Sequence, residues 1–150
     1  MASHAQTFVR IQTEMVCISC DINSPASITP SANHRGEHST KIQGWEILII
    51  DFEGTIPLVR FRNPLGVFLG VDEIANNNVV KASAGLDEKS LWKLKFNSEN
   101  TEKFSISNGT FFMKVNGTGI ELTSTEGNAT LWGINVHVTI PPLFHNPVVG

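Results

Sequence analysis

The chain reads as a single all-β domain built from three copies of one four-stranded unit. Three observations predict it: apolar residues fall at every second position within short runs, turn residues separate the runs, and the order of runs recurs three times. The clearest copy spans Leu58 to Phe96, with runs at Leu58 to Phe61, Phe68 to Val71, Val79 to Ala82 and from Trp92 onward. Alternations such as Val59 with Phe61, or Trp92, Leu94 and Phe96, have the period of a half-buried strand.

The tryptophans set the register of the copies. Trp45, Trp92 and Trp132 each open the same alternation, Trp45-Ile47-Ile49, Trp92-Leu94-Phe96 and Trp132-Ile134-Val136. Second strands align as Cys17-Ile18-Ser19-Cys20-Asp21, Phe68-Leu69-Gly70-Val71-Asp72 and Phe112-Met113-Lys114-Val115-Asn116, an Asp or Asn ending each. First strands are expected around Val9 with Ile11, Val59 with Phe61 and Phe104 with Ile106. Third strands fall from Ile28, at Val80 with Ala82, and at Ile120 with Leu122. The units cover residues 7–51, 56–98 and 102–138, with a Pro-rich tail over 139–150 that is expected to pack across the end of the domain. The expected core is Trp45, Trp92, Trp132, Ile47, Leu94, Ile134, Phe68, Phe112, Val71 and Val115.

Turn chemistry agrees. Asn63-Pro64 with Gly66, and Asn108-Gly109, stand between first and second strands; Asn76-Asn77-Asn78 and Asn116-Gly117-Thr118-Gly119 stand between second and third. The one helical signal is a single 3₁₀ turn over Asp87, Glu88 and Lys89 ahead of Trp92. Unit one differs by a link before Trp45 that is about five residues longer and holds His34, Arg35, His38 and Lys41, which marks a surface loop over 33–41.

Composition narrows the function. With 41% apolar and 17% charged residues and a net charge of −3, the chain is globular and lacks the clustered cations of a nucleic-acid surface. No membrane span or signal peptide is visible, so the expected compartment is the cytosol. The sequons at Asn108, Asn116 and Asn128 then read as turn chemistry. Cys17 and Cys20 form C-x-x-C without a second ligand pair, and are expected to be small inward-facing core residues rather than half of a metal site. His34 and His38 suit a metal only on a helix, which Gly36 opposes, so neither metal nor cofactor is expected. No nucleophile stands beside any histidine, and His137 reads as an outward strand residue; catalysis is not expected.

A threefold pseudo-repeat of about 40 residues with four strands each resembles the β-trefoil. The run Gly66-Val67-Phe68-Leu69-Gly70-Val71-Asp72 is similar to the Gly-x-Tyr-Leu-x-x-Asp of fascin-like and amaranthin-type agglutinin trefoils. The resemblance implies that six strands close a short barrel and three hairpins cap one end. Ricin-B-like lectins are a more distant likeness: Gln43-Gly44-Trp45 matches their Gln-x-Trp, whereas Ser90-Leu91-Trp92 and Thr130-Leu131-Trp132 keep the tryptophan alone. Where those lectins place a sugar-binding Asp inside the second strand, this chain has Ser19, Gly70 and Lys114.

Three functions follow from these likenesses: a carbohydrate-binding lectin, a protease inhibitor using Arg35 or Lys41, and a fascin-like scaffold for a protein partner at the 33–41 loop. Strand interiors are committed to the core, so a glycan is expected to meet the second-strand ends and turns. The candidate contacts are Asp21, Asn63, Asp72, Asn76, Asn78, Asn108, Asn116 and Thr118. The plainer reading is that Asp21, Asp72 and Asn116 bond their own turn backbones.

Overall fold

A computed structural model of the protein describes residues 6–21, 27–32 and 42–140. Unit one contributes β1 (Gln6–Gln12), β2 (Cys17–Cys20), β3 (Ile28–Ser31) and β4 (Glu46–Glu53). Unit two contributes β5 (Ile56–Arg62), β6 (Phe68–Gly70), β7 (Lys81–Ser83), the 3₁₀ turn η1 (Glu88–Ser90) and β8 (Trp92–Phe96). Unit three follows with β9 (Phe104–Asn108), β10 (Phe111–Asn116), β11 (Gly119–Thr123), η2 (Asn128–Thr130) and β12 (Leu131–Ile140). The 33–41 loop, with Arg35, Lys41 and both its histidines, and the tail from 141 lie outside the described residues, as does the side chain of His137. β12 carries two residues farther than the expected end of the third unit, since Ile140 pairs with Gln6.

Six strands close on themselves. β1 pairs with β12, β12 with β9, β9 with β8, β8 with β5 and β5 with β4, all antiparallel. Val9 and Trp45 complete the ring by exchanging backbone hydrogen bonds of 2.8 and 2.9 Å, which joins β4 to β1. The remaining strands form the hairpins β2–β3, β6–β7 and β10–β11. This is the β-trefoil that the repeats predict. Closure satisfies the backbone groups that an open sheet would leave at its edges. The turn residues carry it locally: Gly109 (φ +63°) and Gly117 (φ +61°) adopt the left-handed conformation that two-residue hairpin turns require.

The three tryptophans hold the hairpins to the barrel in one repeated geometry. Trp45 Nε1 donates to the Ile18 carbonyl (2.9 Å), Trp92 Nε1 to Leu69 (3.0 Å) and Trp132 Nε1 to Met113 (2.9 Å). Each acceptor is the second residue of its aligned second-strand run. All six residues have no exposed surface. An indole is thus buried with its one donor satisfied, which removes the desolvation penalty that would otherwise oppose its apolar burial.

Two parts of the expected core need correction. Phe68 and Phe112 are half-buried, because in β6 and β10 the side chains turned to the centre are those of the neighbouring Leu69 and Met113, whereas Val115, in the phase of Met113, packs against the core as expected. Phe68 instead lies against the backbone of Gly85, where an added Cβ would stand 2.6 Å from the ring. The fourth strands also outrun the barrel. Trp45, Trp92, Trp132 and Leu94 are buried and Ile47 packs on the core, but Ile134 is 41% exposed, and Ile49 and Phe96 are 60% and 62% exposed. An alternating pattern marks a face of a strand without marking where along that face the core ends. β2, by contrast, is buried along its whole length, with Cys17 and Cys20 not joined in a disulfide.

Candidate functional site

The polar depression of unit two is built from the end of β6, the outward side of β7 and the turn η1. It encloses about 240 Å³ and is lined by Val71, Asp72, Lys81, Ala82, Ser83, Asp87 and Lys89. Lys81 and Ser83 share one face of β7 because they are two residues apart. Gly70 lets the walls close in: a Cβ there would lie 2.6 Å from Ser83 Cβ and 3.2 Å from the Lys89 carbonyl. The floor is then pinned by Val71 N–H, which donates to that carbonyl (3.1 Å).

The far wall is fixed from both sides. Asp87 caps η1, its Oδ1 accepting from the Lys89 N–H (3.0 Å). Behind it, Arg60 donates to the Asp87 carbonyl (2.9 Å) and to Ser90 Oγ. Across the opening, Lys81 Nζ meets Asp72 Oδ2 at 2.9 Å in an exposed ion pair. The depression therefore offers two carboxylates, two ammonium groups and a hydroxyl on a rigid frame, the groups that exchange hydrogen bonds with vicinal hydroxyls. Leu86, immediately before Asp87 in the chain, is 84% exposed and supplies apolar surface beside it.

Of the eight residues expected to meet a ligand, Asp72 alone lines this depression. Asn63 follows β5 and Asn108 ends β9, and both side chains face inward, 1% and 8% exposed. Asn63 Oδ1 accepts from Leu65 N–H (2.9 Å) while its Nδ2 donates to the Gly44 carbonyl (3.4 Å), and Asn108 Nδ2 donates to the Glu88 carbonyl (2.9 Å). Such side chains bind the protein to itself and present little surface to a ligand.

Asn76 accepts from Ser124 N–H (2.9 Å), and Asn78 is tied to β11 through its carbonyl and Leu122 N–H (2.9 Å), so this loop is anchored to unit three. Asn116 and Thr118 stand exposed at the β10–β11 turn, and Asp21 is exposed at the end of β2. Lys81, Ser83, Asp87 and Lys89 were not among the expected contacts. Two signals pointed to them: the outward phase of the third strand, and Asp87 at the head of the 3₁₀ turn.

The Gln-x-Trp of unit one has a structural part. Gln43 is fully buried, and its Nε2 donates to Ser19 Oγ (3.0 Å), Ser31 Oγ (3.1 Å) and the Ala32 carbonyl (2.7 Å). Ser90 and Thr130, at the same step before tryptophan, bond within their own 3₁₀ turns, to the carbonyls of Asp87 (3.1 Å) and Gly127 (2.8 Å). Among the described residues no group of three or more His, Cys, Asp or Glu side chains comes together as a metal site. Burial pushes the thiols of Cys17 and Cys20 above their ordinary pKa, opposed at Cys17 by Arg10 and reinforced at Cys20 by Asp21.

No protein-family model and no curated protein matches the sequence. Solved structures match the fold. The ricin B-like lectin of Macrolepiota procera, solved with lactose, superimposes with a TM-score of 0.65 over 90% of this chain and 98% of its own, at 20% identity. SeviL, solved bound to the asialo-GM1 saccharide, gives 0.64 over 89% and 97% at 12% identity. The designed threefold-symmetric protein ThreeFoil gives 0.67 over 87% and 99% at 11% identity. At these identities the likeness is one of fold.

Proposed function

We propose that this protein is a carbohydrate-binding, lectin-like β-trefoil without catalysis, and that its saccharide site is the unit-two depression. The observation that carries the reading is the convergence of Asp72, Lys81, Ser83, Asp87 and Lys89 on one braced concavity at a second-strand end. Two of the trefoils that share its fold were solved with saccharides. The depression holds neither histidine nor cysteine. Both of its carboxylates are engaged, Asp72 by Lys81 and Asp87 by a backbone N–H, so neither is poised as a general base.

A glycan array followed by calorimetric titration tests the proposal, with lactose and the asialo-GM1 saccharide as first probes. Asp72→Ala is expected to weaken binding by about 1 to 3 kcal/mol for each hydrogen bond lost, with little change in melting temperature, whereas Asn116→Ala leaves affinity unchanged. Equal loss in both variants would move the site to the second-strand ends in general. No binding to any glycan would reject the proposal.

A further inference from the structure

The three seams between units are closed differently. Gln12 pairs with Cys17, Arg62 with Phe68 and Ser107 with Phe112, so the residues that follow, Thr13, Asn63 and Asn108, hold the same place in each unit. Two of the three reach across to the segment leading into the tryptophan of the preceding unit. Asn63 Nδ2 donates to the Gly44 carbonyl ahead of Trp45, and Asn108 Nδ2 to the Glu88 carbonyl ahead of Trp92.

Thr13 cannot do the same for the segment ahead of Trp132. Its shorter hydroxyl is taken up by its own turn, accepting from Met15 and Val16 N–H (3.2 and 3.1 Å). The third seam is left open as a groove of about 450 Å³, lined by Thr13, Glu14, Met15, Asn100, Lys103, Asn128, Ala129 and Leu131. That volume lies within the range of small-ligand clefts.

We infer that this groove between units three and one is a second binding site, separate from the unit-two depression, and that it takes a short peptide segment with an apolar side chain flanked by charged ones. Glu14 and Lys103 carry opposite charges into the groove, and neither forms an ion pair among the described residues. A peptide with a cation on one side and a carboxylate on the other would complement both. Met15, 81% exposed, and the half-buried Leu131 supply apolar surface; the Asn128 amide matches a peptide backbone in donor and acceptor, and Asn100, whose Oδ1 accepts from Glu102 N–H (3.1 Å), adds its Nδ2 donor. The lining contains no aromatic ring, the group on which a saccharide's C–H face stacks.

The test is an amide-resolved NMR titration of the full chain with acetyl-Lys-Leu-Glu-amide, with acetyl-Ser-Gly-Ser-amide and lactose as controls. Saturable shifts from the first peptide are expected at Thr13 to Met15, Asn100, Lys103 and Asn128 to Leu131. Thr13→Asn, which installs the side chain that zips the other seams, is expected to weaken that binding about tenfold or more while the protein stays folded. Glu14→Gln is expected to weaken it without closing the groove, which keeps the test open if Thr13→Asn does not fold. Absence of localised shifts at millimolar peptide, equal shifts with Ser-Gly-Ser, or shifts there with lactose instead would overturn the inference.

Discussion

Units two and three share a skeleton and differ in what they present on it. Trp92 and Trp132 make the same indole bond to the same point of the second strand, at 3.0 and 2.9 Å. Above that point they diverge. β10 and β11 are joined by Gly117 and Thr118 in a two-residue turn, whereas the chain between β6 and β7 is a longer loop that runs along β11, with Val80 N–H donating to the Ile120 carbonyl (2.7 Å). Gly70 allows β7 and η1 to close over β6, while Lys114 stands at that position in unit three. η1 is capped by the Asp87 carboxylate; η2 is headed by Gly127 and has only Thr130 to bond back to it. The barrel tolerates these differences because its demands end at the tryptophan, and everything above it is free to specialise.

The strongest way to break this comparison is at the shared point. Trp92→Ala and Trp132→Ala should each cost about 3 to 5 kcal/mol in denaturant unfolding, since both remove a large side chain with no exposed surface. Costs that differ by more than about 2 kcal/mol would show that the units are not equivalent in the core. Next in size is the point of divergence. Gly70→Ala puts a methyl 2.6 Å from Ser83 Cβ and is expected to cost about 1 to 3 kcal/mol, whereas Lys114→Ala, on a half-buried strand position, should stay within about 0.5 kcal/mol. A neutral Gly70→Ala would mean that β7 can retreat, and the depression with it.

How much of this was legible in the sequence follows from the same division. The barrel was readable because period-two alternation, Asn-Gly turns and tryptophan spacing all report on local backbone, and closure follows once four strands repeat three times. The phase of the second strands was harder. Phe68 and Leu69 are both large and apolar, and the choice between them is decided by Gly85, whose bare backbone offers Phe68 a place outside the core. The site was least legible. Asn63 and Asn108 have the same composition signal as exposed turn amides, and only the fold reveals that each reaches into a neighbouring unit. Lys81 and Lys89 belong to one depression because Gly70 lets β7 meet η1, a contact no spacing rule encodes.

Unit one sharpens the comparison with a smaller effect. Cys17 and Cys20 hold the places of Phe68 and Val71 and of Phe112 and Val115, and both thiols are buried and unpaired with each other. Burial raises their pKa in the folded protein, so below the ordinary thiol value of about 8.5 both states carry neutral thiols and the shift has no effect on stability. As pH climbs past that value the unfolded chain ionises first. Stability is then lost progressively until the folded thiols ionise as well. Cys20→Val, which installs the residue of the other two units, is expected to reduce the fall in melting temperature between pH 7 and pH 10, and a reducing agent is expected to leave the melting temperature of the parent protein unchanged. An identical alkaline fall in parent and variant would assign the loss to other groups, and stabilisation on adding reductant would show that the thiols exchange with solvent species despite their burial.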